Sequence, residues 1–202
     1  AASLSRVPRE LPSQYLYDRL GSALFEAICR LPWYRVATTE QALLQAHGAA
    51  IHARCGALAS VVELGPGSGE KLLTLLAPRQ ARDVSVSLVD VSAEALEQAT
   101  YTLAADAALR VTCCEATYHD GLAALDRDAP GRRLVVFLGS NIGNFDRTSA
   151  VELLRVMRRA SRPGDLCLLG TDLVKPEAEL LLAYDDPLGV TAAFNRNLLV
   201  RL

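Results

Sequence analysis

Apolar residues recur at helical spacing in the first part of the chain. Residues 13–31 carry a leucine or isoleucine every three or four positions between two prolines, which predicts a helix. Residues 39–55 predict a second helix, with Thr38 or Thr39 as its N-cap. We therefore expect a helical segment, residues 1–57, ahead of the rest of the chain.

After that segment, short strand-like runs alternate with helical ones. The predicted strands are residues 60–64, 84–90, 109–114, 132–138 and 166–170. The predicted helices between them are residues 70–76, 92–105 and 147–161. This alternation is typical of a parallel sheet with helices on both faces, and right-handed crossovers make such a sheet doubly wound. We predict an α/β core over residues 58–175.

Composition excludes several classes of protein. The chain has 202 residues, of which 50% are hydrophobic and 22% charged, so it is too apolar to be disordered. A net charge of −2 gives no basic excess, and we expect no nucleic-acid partner. No apolar run approaches the roughly 20 residues of a membrane helix, and the first residues show no signal-peptide pattern. We expect a cytoplasmic protein without a membrane partner.

The cysteines and histidines do not form a recognisable metal-binding pattern. The five cysteines lack a C-x-x-C spacing and are interpreted as reduced, mostly buried thiols: Cys29, Cys55, Cys113, Cys114 and Cys167. His47 and His52 are five positions apart and do not share a helix face, while His119 is isolated in the sequence. We expect no metal.

A glycine-rich turn joins the first predicted core strand to the next helix. It reads E-x-G-x-G-x-G, formed by Glu63, Gly65, Gly67 and Gly69. Glycine permits positive φ and a close approach of the backbone to a ligand. A dinucleotide-binding G-x-G-x-x-G would need glycine where Glu70 stands. The pattern instead resembles motif I of class I methyltransferases, whose cofactor S-adenosylmethionine has no pyrophosphate to seat on a helix. An ordinary tight turn is the alternative.

Polar residues also follow other predicted strands. Asp90 ends the second strand, 25 residues after Gly65, where α/β cofactor sites place an acid on the ribose hydroxyls. The alternative is a charge that favours the start of the next helix. Gly139 leaves the fourth strand, and Asn141 and Asn144 follow it. Because the carboxyl ends of parallel strands border the ligand crevice, we expect these residues in one site.

Several segments, in order, resemble the histidine-specific Nα-methyltransferase family, which makes hercynine in ergothioneine biosynthesis. The most distinctive are Gly170 to Lys175 and Tyr184-Asp185-Asp186 through Phe194-Asn195-Arg196-Asn197. The resemblance covers nearly the whole chain. It implies a class I methyltransferase fold, S-adenosylmethionine as cofactor and a small amino-acid substrate, L-histidine.

The resemblance implies roles in the cofactor site and at the reacting centre. Gly65, Lys71 and Asp90 match cofactor-binding positions of the family. Tyr17 matches a tyrosine that lines the methyl-transfer pocket and is the catalytic candidate.

The resemblance also implies a substrate site. Tyr34 matches a residue that contacts the substrate imidazole, whereas Asn144 and Tyr184 match residues that hold its α-amino and carboxylate end. The family's C-terminal pair that grips the imidazole is absent from this chain. Two alternatives therefore stay open: a same-fold N-methyltransferase for another amino acid or an aromatic amine, and a non-catalytic fragment of such an enzyme.

The end of the third strand departs from the family pattern, which has an acid in contact with adenine. Ala116 stands at the position of that acid. Either the neighbouring Glu115 takes over the contact or backbone groups contact adenine instead.

The C-terminal region is expected to be incomplete. A class I methyltransferase sheet usually has seven strands, and the sequence predicts five. The apolar pattern continues to Leu202 without a breaker or a capping residue. We expect that C-terminal strands are missing and that residues 176–202 begin a truncated substrate-binding region.

Overall fold

Five parallel strands form one sheet in the order β3-β2-β1-β4-β5. The strands are β1 (Leu58–Leu64), β2 (Val84–Asp90), β3 (Leu109–Glu115), β4 (Arg132–Phe137) and β5 (Leu166–Leu169). The structure, a computed structural model, describes residues 11–79 and 83–201 together with Ser5, Val7 and Arg9. The sheet order reverses at β1, which pairs with β2 on one side and β4 on the other. In an open parallel sheet this reversal creates a crevice at the carboxyl ends of the strands.

Successive side chains of the central strands lie on opposite faces of the sheet and belong to two hydrophobic clusters. Val61 of β1 belongs to a cluster with leucines of the helices on one face, including Leu72 and Leu75. The next residue, Val62, belongs to a cluster on the opposite face with Phe137 and Leu153. These side chains are at most 1% exposed, so both faces of the central sheet are covered, as expected for a doubly wound fold.

Eight α-helices connect and cover the strands in the described part of the chain. They are α1 (Arg19–Cys29), α2 (Arg35–Cys55), α3 (Glu70–Leu76), α4 (Ala93–Leu103), α5 (Tyr118–Ala123), α6 (Arg147–Ala160), α7 (Glu177–Tyr184) and α8 (Val190–Arg201). Ser92, the first residue of the helix predicted over residues 92–105, caps α4, since its side chain accepts a hydrogen bond from the Ala95 N–H at 3.2 Å. The short α5 and a 3-10 turn, Asn141–Asn144, were not predicted from the sequence.

The predicted N-terminal helices need correction. The helix expected over residues 13–31 is a 3-10 turn, Ser13–Leu16, followed by α1, because the Asp18 side chain caps a new helix through the Gly21 N–H. The N-cap predicted at Thr38 or Thr39 is also wrong. Helix α2 begins earlier, and inside it the Thr38 hydroxyl donates to the Arg35 carbonyl at 3.2 Å.

The chain after residue 173 forms two helices separated at Pro187. Asp186 fixes the second one, since its carboxylate accepts hydrogen bonds from the N–H groups of Leu188, Val190 and Thr191. Parts of the predicted segments lie outside the described residues: positions 1–4, 6, 8, 10, 80–82 and 202.

The cysteines are free, but the expectation that most are buried is wrong. Cys55 is buried, Cys29 and Cys114 are half-buried, and Cys113 and Cys167 are exposed. The two exposed thiols lie on β3 and β5, the outer strands of the sheet. Within residues 11–79 and 83–201, no helix combines the length and apolar composition needed to cross a membrane. In the same part of the chain, no cluster of His, Cys, Asp or Glu side chains could hold a metal ion.

Candidate active site

A cavity of about 1030 Å³ opens at the carboxyl ends of the central strands, beneath α1. It collects residues from the glycine loop, the ends of β2 and β3, the turn after β4 and the segment around α1. Among the residues predicted from the sequence, it contains Tyr17, Gly65, Gly67, Asp90 and Asn144. Further lining residues include Ser22, Phe25, Glu26, Glu94, Thr117, Tyr118 and Asn141. The volume is close to the upper end of the usual range for small-molecule sites.

The glycine loop presents backbone to this cavity. Gly65 has φ +72°, and a Cβ there would lie 2.7 Å from the Tyr118 hydroxyl oxygen and 3.0 Å from the Asn141 amide nitrogen. Gly67 has φ +53°, and the nearest atom to its hypothetical Cβ is a Glu26 carboxylate oxygen at 3.8 Å. The first glycine therefore lets two side chains approach the loop, and the second leaves open space in which a ligand can approach the backbone.

Gly69 has a different role from the other two glycines. Its φ is +78°, and a Cβ there would lie 2.9 Å from the Cα of Ala99 in α4. The residue does not line the cavity. It lets α3 begin close to α4 and so holds the loop in place.

Asp90 reaches the cavity from the end of β2. One carboxylate oxygen accepts a hydrogen bond from the Ser92 N–H at 2.9 Å. Burial raises the pKa of the Asp90 carboxyl group, and hydrogen bonds from the Ser92 and Val91 N–H groups lower it in part. The carboxylate therefore holds the turn that leads into α4, and its remaining lone pairs are available to a ligand.

The charges that line the cavity favour a cationic ligand. The acidic residues are Glu26, Asp90, Glu94 and Asp146, whereas Arg19 is the arginine among the described lining residues. Burial, and then the neighbouring Glu70, raises the pKa of the Glu26 carboxyl. Such an excess of carboxylates near apolar and aromatic walls lowers the energy of a positive charge more than it would in water.

Tyr17 lies between the 3-10 turn and α1, and its neighbours in sequence fix its position. Asp18 accepts hydrogen bonds from the Gly21 N–H and from the Asn197 side-chain amide, both at 2.7 Å. A Cβ on Gly21 would lie 1.8 Å from the Leu16 carbonyl oxygen, so this turn requires glycine. Burial, followed by the charge of Asp90, raises the pKa of Tyr17 to about 12. The Tyr17 hydroxyl is therefore protonated at neutral pH.

An aromatic cluster continues from Tyr17 away from the sheet. Tyr17 packs edge-on against Phe25 and Phe194, with ring centroids 5.4 and 5.7 Å apart. Phe25 contacts Tyr34 at 6.2 Å, and Tyr34 contacts Tyr184 at 5.9 Å. Tyr34 is buried, and burial raises the pKa of its hydroxyl group. Tyr184 is 56% exposed. Both predicted substrate tyrosines thus belong to this cluster beside the cavity and do not line the cavity itself.

The turn after β4 brings two asparagines to the cavity. It contains Ser140, a non-glycine residue with φ +55°, followed by the 3-10 turn that carries Asn141 and Asn144. The Ser140 hydroxyl accepts a hydrogen bond from the Asp172 N–H at 3.0 Å, which links the turns after β4 and β5. Such a backbone conformation persists only where surrounding contacts determine it, and it is common at functional sites.

A largely buried polar network contains three of the predicted cofactor residues, Glu63, Lys71 and Gly139, which do not line the cavity. The Lys71 ammonium donates to Glu40 at 2.6 Å, and the Gly139 N–H donates to the same carboxylate at 2.8 Å. Glu63 is 2% exposed and its Oε2 has no hydrogen-bond partner. Burial raises the pKa of Glu63 well above its usual value, although the nearby Lys71 lowers it. An unpaired buried polar atom is the kind of group that a polar ligand or a water satisfies.

Glu115 is not brought into the site. It ends β3 opposite Asp90, yet its side chain is exposed and lies outside the cavity lining. At this end of the sheet the cavity is lined instead by Thr117, Tyr118 and His119. Tyr118, Glu26 and Glu40 were missed in the sequence. Tyr118 could have been found from its place just after a strand, but the two glutamates carry no local signal, since only tertiary packing brings their helices to the site.

The comparisons with known proteins now define the class. The chain resembles the plantazolicin methyltransferase BpumL, solved in complex with SAH, with a TM-score of 0.53 at 16% identity over 96% of this chain and 74% of that one. Together with the doubly wound sheet and its glycine loop, this likeness identifies the fold as that of a class I S-adenosylmethionine methyltransferase.

The chain belongs to the family described as histidine-specific, SAM-dependent methyltransferases, whose model matches residues 1–202. It is 40% identical over 201 residues to the histidine N-alpha-methyltransferase of Mycolicibacterium smegmatis, and 39% identical over 207 residues to that of Mycobacterium tuberculosis. These matches cover 98% of this chain but 62% of each relative.

Proposed function

We propose that this protein transfers methyl groups from S-adenosylmethionine to the α-amine of L-histidine. The observation that carries the proposal is the shared cavity, in which the glycine loop and Asp90 lie together with Tyr17 and Asn144. The two mycobacterial relatives are histidine N-alpha-methyltransferases by name, and the family is described as histidine-specific. The names of these relatives and of the family favour histidine, and not another amine, as the substrate.

The residues of the cavity suit S-adenosylmethionine. The bound cofactor supplies a methyl group on a positively charged sulfonium. Gly67 leaves space for close contact with the loop backbone, and the Asp90 carboxylate lines the cavity, where it can accept a hydrogen bond from a ribose hydroxyl. Glu26 and Glu94 add negative charge to the lining, which complements the cationic groups of the cofactor.

We infer that Tyr17 and Asn144 orient the substrate amine. A free α-amine has a pKa near 8, so an appreciable fraction is neutral at about pH 7 and needs no strong base. Tyr17 keeps its proton at that pH, so its role is that of a hydrogen-bonding and aromatic neighbour and not that of a base. Its ring can also stabilise the developing positive charge, an interaction worth about 0.5–2 kcal/mol. Alignment of amine and methyl group provides the main rate advantage.

We infer that the substrate side is built by both ends of the chain, residues 1–57 and 176–202, and the cofactor side mainly by residues 58–175, to which Glu26 of α1 adds a carboxylate. The aromatic contacts of Tyr17 with Phe194 and of Tyr34 with Tyr184 each join one terminal segment to the other. Tyr34 and Tyr184 would then face the imidazole and the carboxylate end of histidine. The free cysteines and the low net charge fit a cytoplasmic enzyme that acts on a small molecule.

For the adenine contact we favour backbone groups over Glu115. The exposed position of Glu115 supports this choice, as does the presence of Thr117 and its neighbours in the cavity wall.

Turnover on a panel of amino acids tests the proposal. The purified protein is incubated with S-adenosylmethionine and each amino acid, and the product mass is recorded by mass spectrometry. We expect methylated histidine and no product from N-acetylhistidine, in which the α-amine is blocked. Methylation of N-acetylhistidine, or turnover only with another amine, would overturn the assignment. Cofactor binding without any turnover would support a non-catalytic role instead.

A further inference from the structure

Glu40 is a carboxylate of the N-terminal helices that contacts two of the predicted cofactor residues, Lys71 and Gly139. It lies on α2, and its side chain is 13% exposed. Its Oε2 accepts hydrogen bonds from the Lys71 ammonium at 2.6 Å and from the Gly139 N–H at 2.8 Å, while Oε1 lies 3.0 Å from the same N–H. One side chain therefore connects three elements: α2, the start of α3 and the turn after β4.

The surrounding backbone is shaped to admit this carboxylate. A Cβ on Gly170, just after β5, would lie 2.0 Å from Glu40 Oε1. Gly139 has φ +73° and directs its N–H at the carboxylate. Charge-assisted hydrogen bonds of this kind are about twice as strong as neutral ones. Glu40 is thus fitted closely between these elements and is not a surface ion pair.

The position of this network along the sheet indicates which part of the cofactor it serves. Asp90 places the ribose at β2, so the nucleoside half of the cofactor lies towards β2 and β3. The aminoacyl half must then extend across β1 towards β4, where Lys71 and Gly139 lie. An ammonium carries three donors, and Glu40 takes one of them.

Glu40 also keeps Lys71 away from a competing partner. Glu63 is buried nearby with an unpartnered carboxylate oxygen. Without Glu40, the Lys71 ammonium would turn to this oxygen, and the Gly139 N–H would lose its acceptor. We propose that Glu40 is a positioning residue, which holds Lys71 and the turn after β4 in place for the aminoacyl end of the cofactor. This inference rests on the proposed use of S-adenosylmethionine.

Two ligands that differ in the aminoacyl group test the proposal. Binding of S-adenosylhomocysteine and of methylthioadenosine, which lacks that group, is measured by calorimetry for the wild type and for Glu40→Ala. In Glu40→Ala the displaced Lys71 ammonium should lose its charged hydrogen bond to the aminoacyl group. We therefore expect this variant to bind S-adenosylhomocysteine about 10-fold or more weakly, and methylthioadenosine within about 2-fold of wild type. Glu40→Gln keeps an acceptor oxygen and should restore most of the affinity.

Further variants show whether Glu40 acts through Lys71. In a Lys71→Met background, Glu40→Ala should produce little additional loss. Gly170→Ala, which displaces the carboxylate without removing it, should reproduce the selective loss. Gln41→Ala is the matched control, since it removes a different α2–α3 hydrogen bond, from Gln41 to Thr74 at 2.5 Å, and should leave both affinities unchanged.

Each outcome decides a different question. If Glu40→Ala weakens both ligands equally, or weakens neither, the positioning role is wrong while the proposed function stands. If the wild type binds neither ligand, the proposed function fails and this inference fails with it. Thermal unfolding of every variant identifies any that does not fold, in which case Glu40→Gln and Gly170→Ala decide the result.

Discussion

The half of the cavity that rests on the sheet is built differently from the half that rests on the helices. The sheet half consists of backbone at Gly65 and Gly67 and one carboxylate at Asp90, supported by strands whose central residues are fully buried. The helix half is lined by Tyr17 and Phe25, and the aromatic cluster continues beside the cavity through Tyr34, Tyr184 and Phe194.

This difference in construction implies a difference in what each half controls. Hydrogen bonds between parallel strands hold the sheet half in place, so the loop backbone cannot move aside when a side chain is added there. Edge-on aromatic contacts fix the helix half, and each contributes about 0.5–1.5 kcal/mol beyond area burial. Helix α7, which carries Tyr184, has no buried residue. The sheet half should therefore determine whether the cofactor binds, and the helix half which amine is methylated.

The strongest test of this division is Gly67→Val. The added side chain would occupy the open space beside Glu26 into which the ligand must come. We expect affinity for S-adenosylhomocysteine, measured by calorimetry, to fall at least about 100-fold, whereas left-handed backbone strain costs only about 1–3 kcal/mol of stability.

The control for that strain is Gly164→Val. Gly164 has φ +94° and no atom within 4 Å of its hypothetical Cβ, in a turn remote from the cavity. It should lose similar stability with unchanged affinity. Equal binding losses in both variants would show that strain, and not the cofactor space, explains the effect.

The second test removes the carboxylate of the sheet half. Asp90→Ala should weaken S-adenosylhomocysteine by about 1.5–3 kcal/mol, the value of a charge-assisted hydrogen bond. Its partner across the ladder, Glu115, serves as control, because Glu115→Ala should not change the affinity. A loss at Glu115 as large as that at Asp90 would transfer the adenine contact to Glu115.

The two halves also differ in how far the sequence predicts them. The strand–helix alternation, the glycine loop and Asp90 are local patterns, and the sheet with its cavity edge agrees with them. The break at Asp18 was missed because helical periodicity runs through it, and only the capping contact with Gly21 reveals it.

The helix half depends on contacts between distant segments. Asn197 donates to Asp18 across the length of the chain, and Phe194 packs on Tyr17. No spacing rule links such pairs, so their meeting is visible only in the fold. Glu40 was missed for the same reason, since its partners lie on α3 and beyond β4.

A smaller effect is expected from Asn144→Ala, which tests the junction of the two halves. Asn144 lines the cavity from the turn after β4. We expect the KM for histidine to rise about 10-fold through loss of a hydrogen bond to the substrate, with affinity for S-adenosylhomocysteine nearly intact. Steady-state kinetics and calorimetry on one preparation measure both. Loss of cofactor binding would place Asn144 on the sheet half instead.

The smallest effect is expected from Tyr184→Phe, which acts only on the helix half. The ring and its edge-on contact with Tyr34 at 5.9 Å remain, and only a hydroxyl is removed from a side chain that is 56% exposed. A neutral, partly solvated hydrogen bond is worth about 0.5–1.5 kcal/mol, so the KM for histidine should rise about 3-fold.

Tyr101→Phe is the control, because Tyr101 is 81% exposed and does not line the cavity, and it should change neither the KM nor the affinity. Since neither Tyr184 nor Tyr101 lines the cavity that contains Gly65 and Gly67, affinity for S-adenosylhomocysteine should be the same in the wild type and both variants. A fall in that affinity for Tyr184→Phe alone would mean that the two halves are coupled, and that cofactor binding depends on how the C-terminal helices pack.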